Sequence, residues 1–351
     1  MIHAEELLNT LFEGKDLTDT EARNFLDDVI AGALTSAQTA GILVALRMKG
    51  ESASEIVGLL RGMRAQMVPV EAKGAVDIVG TGGDGSGTFN ISTAAAFVAA
   101  GAGALVAKHG NRAASSKAGS ADVLAALGVN VTLTKQQAEE VFKKAGIVFL
   151  MAPLFHPAMK NVIAVRKELK VRTIFNILGP FANPAGTSRQ LVGVPNVAIA
   201  KKMAEAAKEL GYEHLLIVTS DDGMDEISLS AKTQAFDVKG NTVKAFAIDP
   251  KTFGFKKSAK NDILGGSAEE NADIIRSILA GRASKDGARH DFAKSGPRRD
   301  IVVLNAGFGL YVAGIAKTPK EGIAKAEESI DSGKAAAALE ALVRETKKFA
   351  V

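Results

Sequence analysis

The sequence concentrates chemistry at four places. Gly80-Thr81-Gly82-Gly83-Asp84-Gly85-Ser86-Gly87 holds five glycines in eight residues and runs on through Thr88-Phe89-Asn90-Ile91-Ser92-Thr93. Glycines let backbone N–H groups turn inward with no Cβ in the way, which suits phosphate oxygens. Asn90, Ser92 and Thr93 then open an Ala-rich helix expected over 94–100, whose first turn carries free N–H groups and partial positive charge. No Gly-Lys-Ser/Thr closes the loop, and the glycine spacing is not that of a dinucleotide fingerprint. The second place is Lys108-His109-Gly110-Asn111-Arg112-Ala113-Ala114-Ser115-Ser116-Lys117-Ala118-Gly119-Ser120. Its cations, amide and hydroxyls can wrap several phosphate oxygens with charge-assisted hydrogen bonds. The third, Asp221-Asp222-Gly223-Met224-Asp225-Glu226, offers carboxylates without His or Cys, a donor set for a hard cation such as magnesium. The fourth joins Met151-Ala152-Pro153-Leu154-Phe155-His156-Pro157 to Arg166 and to Arg172–Pro180. There an exposed His and an Arg one helix away can hold a flat aromatic acid, Arg taking the carboxylate and apolar groups the ring.

The elements that must carry these groups change character along the chain. Thr18-x-x-Glu21, Thr35-x-x-Gln38 and Ser52-x-x-Glu55 are helix-start signatures, and Gly32 and Gly50 stand where the first two helices end. Val68-Pro69-Val70 interrupts the helices. Beyond it, the apolar runs 77–79, 104–106, 146–150 and 215–218 read as buried strands, separated by helical segments including 134–145 and 197–210. That alternation predicts an α/β fold with a mostly parallel central sheet, preceded by a small all-helical domain. The expected division is 1–70 for the helical domain, joined in space by helices near 157–190, and 71–351 for the α/β domain. The glycine loop, the basic segment and the acidic turn each follow a strand.

Composition narrows the chemistry. The chain has 351 residues, 47% of them apolar, and no cysteine. A chain of this length hides roughly 75% of its unfolded surface and needs no covalent staples. Disulfides, thiolate metal sites and cysteine nucleophiles are excluded, so any glutaminase partner using a thiol is a separate polypeptide. The net charge of +4 suits anionic ligands. No signal peptide or membrane span is found: Met1 to Glu6 carries acids, and the apolar stretch 94–107 is too short to cross a bilayer. The expectation is a soluble, cytoplasmic protein.

The pairing of Gly80-Thr81-Gly82-Gly83-Asp84 and Asn90-Ile91-Ser92-Thr93 with Lys108-His109-Gly110-Asn111-Arg112-x-x-Ser115-Ser116 and Gly119–Leu124 closely resembles the anthranilate phosphoribosyltransferases. The likeness continues through Arg172–Pro184, Asp225-Glu226 and Arg298–Gly307, so it spans nearly the whole chain. It implies transfer of the 5-phosphoribosyl group from phosphoribosyl pyrophosphate to the amine of anthranilate, in tryptophan biosynthesis. It places the sugar diphosphate on Gly80, Gly83, Asp84, Thr88, Asn90, Ile91, Ser92, Thr93, Lys108, His109, Gly110, Asn111, Arg112, Ala113, Ala114, Ser115, Ser116 and Ser120. Magnesium falls on Ser92, Asp225 and Glu226, and anthranilate on Gly80, Asn111 and Arg166, with His109 and His156 lining the same channel. Lys108 and Arg112 would neutralise the leaving pyrophosphate, with no residue assigned as acid or base.

A homodimer through the helical domain is implied, with separate anthranilate synthase subunits as further candidate partners. Departures from the family pattern are small: Ala113-Ala114 and Ala118 replace larger or hydroxylated residues, Ala164 a proline, and Lys170 a glycine. Two alternatives are a pyrimidine nucleoside phosphorylase, whose substrate pattern is not found, and a nucleic-acid-binding relative without transferase activity. Against the latter, aromatics are only 5% of residues, with no Trp to interleave a basic stripe.

Overall fold

The computed structural model describes residues 3–113, 117–281 and 296–350. Ala114, Ser115 and Ser116, expected among the phosphate-binding residues, lie outside the described residues. The N-terminal helices are α1 (Ala4–Phe12), α2 (Asp19–Ala31), α3 (Ser36–Lys49) and α4 (Ala53–Ala65). All three expected capping boxes form, each hydroxyl accepting from the N–H three residues on and each Glu or Gln reaching back. Such a cap is worth about 1 kcal/mol. Gly32 ends α2 in the left-handed conformation, with φ 72°. The linker after α4 is tied down: Val68 N donates to Phe155 O (2.8 Å) and Val70 N to Pro184 O (3.0 Å).

Seven strands follow: β1 (Val76–Gly80), β2 (Val106–Gly110), β3 (Ile147–Met151), β4 (Arg189–Gly193), β5 (His214–Ser220), β6 (Thr233–Lys239) and β7 (Thr242–Ile248). They form one sheet in the order β3-β2-β1-β4-β5-β6-β7. The first five pair in parallel, and β6 and β7 add antiparallel. Between and after the strands run α5 (Ile91–Gly101), α6 (Ser120–Ala126), α7 (Lys135–Ala145), α8 (Ala152–Phe155), α9 (Lys160–Leu169), α10 (Phe175–Leu178) and α11 (Val197–Ala207). The chain closes with α12 (Ala268–Ala280), α13 (Pro297–Ala313), α14 (Pro319–Asp331) and α15 (Lys334–Lys347). Among the described residues no helix is long and apolar enough to cross a membrane.

Period-two alternation in the strands feeds two cores, one on each face of the sheet. Ile78, Leu191, Leu216 and Val218 face a core shared with α5 and the C-terminal helices. Val79, Val192, Leu215 and Ile217 face a second, shared with α1–α4, α9 and α11. The helical part and one face of the sheet therefore share a continuous apolar core, which fixes the strand ends against the segment 155–183.

Two expectations need correction. The strand expected at 104–106 lies at Val106–Gly110, so Lys108 and His109 are strand residues rather than the start of a loop. Their polar groups find buried partners across the sheet, described below, which a run of local hydrophobicity does not reveal. The helix expected at 94–100 begins at Ile91, with Asn90 as its N-cap, which places Ser92 and Thr93 inside the first turn.

Lys170, the departure from glycine, ends α9 with φ 53° and is the only non-glycine with positive φ among the described residues. A side chain in the left-handed region costs roughly 1–2 kcal/mol, while glycine gives back part of that through unfolded-chain entropy. Lys170→Gly is therefore expected to stabilise the chain by about 0.5–1 kcal/mol. A urea titration checks this, and an unchanged or lower midpoint would show the turn to be unstrained.

Candidate functional site

The strand order reverses direction at β1: the chain runs outward through β2 and β3, then returns to place β4 on the other side. Parallel α/β sheets open a crevice at such a point, beyond the carboxyl ends of the strands. Gly80 and Gly193 are register partners at those ends of β1 and β4. The glycine loop leaves β1 here, and the acidic turn after β5 folds back over it.

The closeness of that approach is set by absent side chains. A Cβ on Gly193 would fall 1.5 Å from the Asp225 carbonyl oxygen, and one on Gly80 would fall 2.6 Å from Asp225 Oδ2. Asp225 is 7% exposed, and its Oδ2 accepts from Gly82 N at 2.6 Å. Asp225 N donates to Asp84 Oδ2 at 3.4 Å, while Asp84 Oδ1 accepts from both Ser86 N (3.0 Å) and Ser86 Oγ (2.8 Å). Glu226 Oε1 accepts from Ser92 N at the start of α5, 3.1 Å away. The free N–H groups of a helix start thus meet a carboxylate.

Lys108, buried in β2, sends Nζ to Ile78 O (2.6 Å) and to Ser92 Oγ (3.2 Å). Glycine loop, helix start, acidic turn and ammonium meet in one place. Burial pushes the Asp225 carboxyl up, and the charge of Asp84 adds to the shift. Burial likewise pushes Glu226 up, reinforced by Asp225 and opposed by Lys108. Burial lowers the Lys108 pKa, against the pull of Asp77 and Glu226. The site gathers carboxyl groups in a desolvated space that favours their neutral forms, and holds one ammonium beside them.

The second loop stands next to the first. Asn90 Nδ2 donates to Ala118 O (3.3 Å), and Asn90 Oδ1 accepts from Asn271 Nδ2 (3.0 Å) on α12. Thr88 pairs with Leu264, and Gly265 N donates to Gly87 O (2.9 Å), so the segment 263–266 braces the glycine loop from outside. Gly110 ends β2, where a Cβ would fall 2.2 Å from Ser120 Oγ. Asn111 turns the chain, its carbonyl accepting from Ser120 Oγ at 3.3 Å. Arg112, exposed, pairs with Asp122 Oδ1 at 2.8 Å, and the other Asp122 oxygen accepts from Ala113 N and Gly119 N. A phosphate reaching Arg112 competes with that carboxylate. Gly83 lies exposed on the glycine loop; Ile91 packs in the core, and the buried Thr93 Oγ1 has no hydrogen-bond partner among the described residues.

His156, expected to be exposed, is buried at 7%. Its Nε2 lies 2.8 Å from Ala182 O, a partner 26 residues away in sequence. Its ring centroid is 5.4 Å from that of His109. Burial lowers both imidazoles, His109 to about 3, so both are neutral. Among the described residues, His109 Nε2 and His156 Nδ1 are buried without a hydrogen-bond partner. Arg166 is half-buried on α9, and its guanidinium has no partner among the described residues; burial lowers its pKa. Arg172 Nη2 donates to Gly82 O at 3.2 Å, linking the fourth segment to the glycine loop.

Sequence reasoning missed Gly193, Asn271 and the buried partners Asn183 and Gln190. Gly193 looks like any glycine before a turn, and only its contact with the acidic turn marks it.

Two family models match the chain: the helical bundle domain of a glycosyl transferase family over residues 5–67, and its a/b domain over residues 72–336. Curated anthranilate phosphoribosyltransferases from Rubrobacter xylanophilus and Clostridium kluyveri are 47% and 45% identical to it. The first alignment covers 98% of both chains; the second covers 96% of this chain and 98% of the relative. The crystal structure of the Thermus thermophilus anthranilate phosphoribosyltransferase superposes with a TM-score of 0.87 at 41% identity, covering 97% of this chain and 99% of that one. The Saccharomyces cerevisiae enzyme in complex with PRPP and Mg gives a TM-score of 0.85 at 28% identity, covering 98% of both chains. A glycine loop at the sheet's reversal point, closed by an acidic turn and backed by a buried lysine, thus sits in a chain of which 96–98% aligns with these curated enzymes: it belongs to the anthranilate phosphoribosyltransferase family.

Proposed function

We propose that the chain transfers the 5-phosphoribosyl group of phosphoribosyl pyrophosphate to the amine of anthranilate, releasing pyrophosphate. The observation that carries this reading is the convergence of the glycine loop, the α5 start, Lys108 and the Asp225-Glu226 pair at the β1/β4 crevice. The amine of anthranilate is neutral near pH 7, so no strong base is needed to expose its lone pair. The chain's main task is to hold that nitrogen behind the anomeric carbon, and positioning of this kind contributes roughly 7–11 kcal/mol. Gly80, Gly83, Asp84, Thr88, the 90–93 helix start, Lys108–Ala113 and Ser120 hold the sugar diphosphate, and Lys108 and Arg112 balance charge on the departing pyrophosphate. Arg166 takes the anthranilate carboxylate, being half-buried with its guanidinium unpartnered among the described residues. Neutral His109 and His156, each with a buried ring nitrogen unpartnered among the described residues, line the acceptor channel with Asn111.

The residues fit magnesium. The donors are oxygens only, and burial holds both carboxyls of the pair above their ordinary range, as expected of acids placed for a cation. Asp225, Glu226 and Ser92 would hold it, and when bound it stabilises charge on the diphosphate. The homodimer reading is supported by Phe12 (72% exposed) and Met48 (84% exposed), apolar side chains presented by α1 and α3 of the helical domain. A division at residue 70, with 157–190 joining the helical part, is supported by the second core, which unites α1–α4 with Met159, Val162, Phe175 and Phe181.

Anthranilate fluorescence tests the reaction. Signal loss is expected only with protein, phosphoribosyl pyrophosphate and magnesium together, and Arg112→Ala is expected to slow it by about 10²-fold. A flat trace with folded wild-type protein would overturn the reading.

A further inference from the structure

We infer that Asp77 and Asn183 form a wedge that keeps β1 and β2 apart at their functional ends, making Asp77 a positioning residue for Lys108. The sheet carries the mark of this. β1 and β4 are paired over five residues, as are β2 and β3, but β1 and β2 are paired only at Val76–Val106. Were the parallel ladder to continue, Ile78 O would accept from His109 N, and Ala107 O from Ile78 N.

Side chains have taken those places. Ile78 O accepts from Lys108 Nζ at 2.6 Å, His109 N donates to Asp77 Oδ1 at 3.4 Å, and Ala107 O accepts from Asn183 Nδ2 at 2.8 Å. Asn183 Nδ2 also donates to Asp77 Oδ2 at 2.8 Å, which ties the two halves of the wedge together. Gln190 Nε2 reaches the same oxygen at 3.4 Å. Asp77, Lys108, His109, Asn183 and Gln190 are all buried.

An open ladder in a buried sheet is costly unless its main-chain groups are paired, so the substitution by three side chains calls for a return. The return is room. The gap lets the Lys108 stem turn back between the strands and bring its ammonium to Ser92 at the head of α5. Asp77 supplies the opposite charge that keeps a lysine tolerable at this depth. Closing the ladder would hand Ile78 O to the backbone and take away the ammonium's anchor.

The inference rests on the phosphate-binding reading of Lys108, and its test separates the two. The affinity for inorganic pyrophosphate with magnesium is measured calorimetrically for wild type, Asp77→Asn, Lys108→Met and the double variant. Asp77→Asn keeps the shape of the side chain and removes its charge. If Asp77 acts through Lys108, it weakens binding about tenfold alone and changes little once Lys108 is gone, a non-additive cycle. Additive losses would overturn the positioning role, because a general structural defect has no reason to depend on Lys108. Absence of pyrophosphate binding by the wild type would count against the proposed function instead. The wedge is then read without ligand, from hydrogen exchange of peptides covering 76–80 and 106–113. Asp77→Ala and Asn183→Ala are expected to change exchange there, and unchanged exchange in both would overturn it.

Discussion

Gly193→Ala is expected to lower turnover by about a hundredfold or more, although the substitution adds one methyl group and removes no functional side chain. The added Cβ would fall 1.5 Å from the carbonyl oxygen of Asp225, well inside any van der Waals contact, and 2.3 Å from its carbonyl carbon. Both neighbours are backbone, so no rotamer change relieves the overlap. Either β4 bends, which breaks its five-residue pairings with β1 and β5, or the acidic turn lifts away. Lifting is the cheaper route, because the turn lies beyond the strand ends. Asp225 Oδ2 then loses Gly82 N, and Glu226 moves off Ser92 N. A misplacement of about 1 Å at a reacting centre can cost 10²-fold in rate. The check is kcat alongside a thermal melt. A cooperative melt with turnover lost supports displacement of the turn, and wild-type turnover would show that the turn does not depend on this contact.

What could be read from the sequence divides along the range of the forces involved. The caps at Thr18, Thr35 and Ser52 were legible because each is a bargain among four consecutive residues. The glycine loop was legible because its composition has few other uses, and the acidic turn because four acids stand within six residues. Lys108 and His109 were misplaced outside their strand because a buried lysine and histidine contradict the expected apolar pattern. Contacts with Asp77, Ile78 and Ser92, reaching back 16 to 32 residues, make those positions tolerable. The exposure expected of His156 fails for the same reason, since its buried ring is met by the carbonyl of Ala182, 26 residues on. The strands β4, β6 and β7 carry weaker signals: β4 opens on Arg189-Gln190, β6 sets Gln234 and Asp237 among its apolar residues, and in β7 Lys244 separates Val243 from the short run 245–248. Gly193 shows the limit most sharply. Its role is an absence of atoms, and nothing around it in sequence says what must pass so close.

Removing one carboxylate from the acidic pair should separate stability from activity. With magnesium chelated, Glu226→Gln is expected to melt about 1–3 °C above the wild type, while its magnesium-supported turnover falls by about 10²–10³-fold. The stability half follows from charge. The charges of Asp225 and Asp84 both act on Glu226, and the buried ammonium of Lys108 that opposes them is shared with Asp77. Glutamine keeps an oxygen for Ser92 N and sheds the charge that burial and Asp225 both penalise. The advantage carries a sign in pH. A carboxyl raised in the folded chain contributes stability that is full below its unfolded value near 4 and is lost as pH rises through its higher folded value. The variant's lead over the wild type should therefore widen from acid toward neutral and alkaline pH in the metal-free state. Magnesium should close the gap by stabilising the wild type far more than the variant, because ligands stabilise in proportion to their affinity for the folded state. A variant that is less stable than the wild type in chelator, yet still turns over with magnesium, would mean that Glu226 is a structural cap on α5 rather than a metal ligand. The direction of the melting shift therefore tells whether the charge of Glu226 serves the start of α5 or a cation.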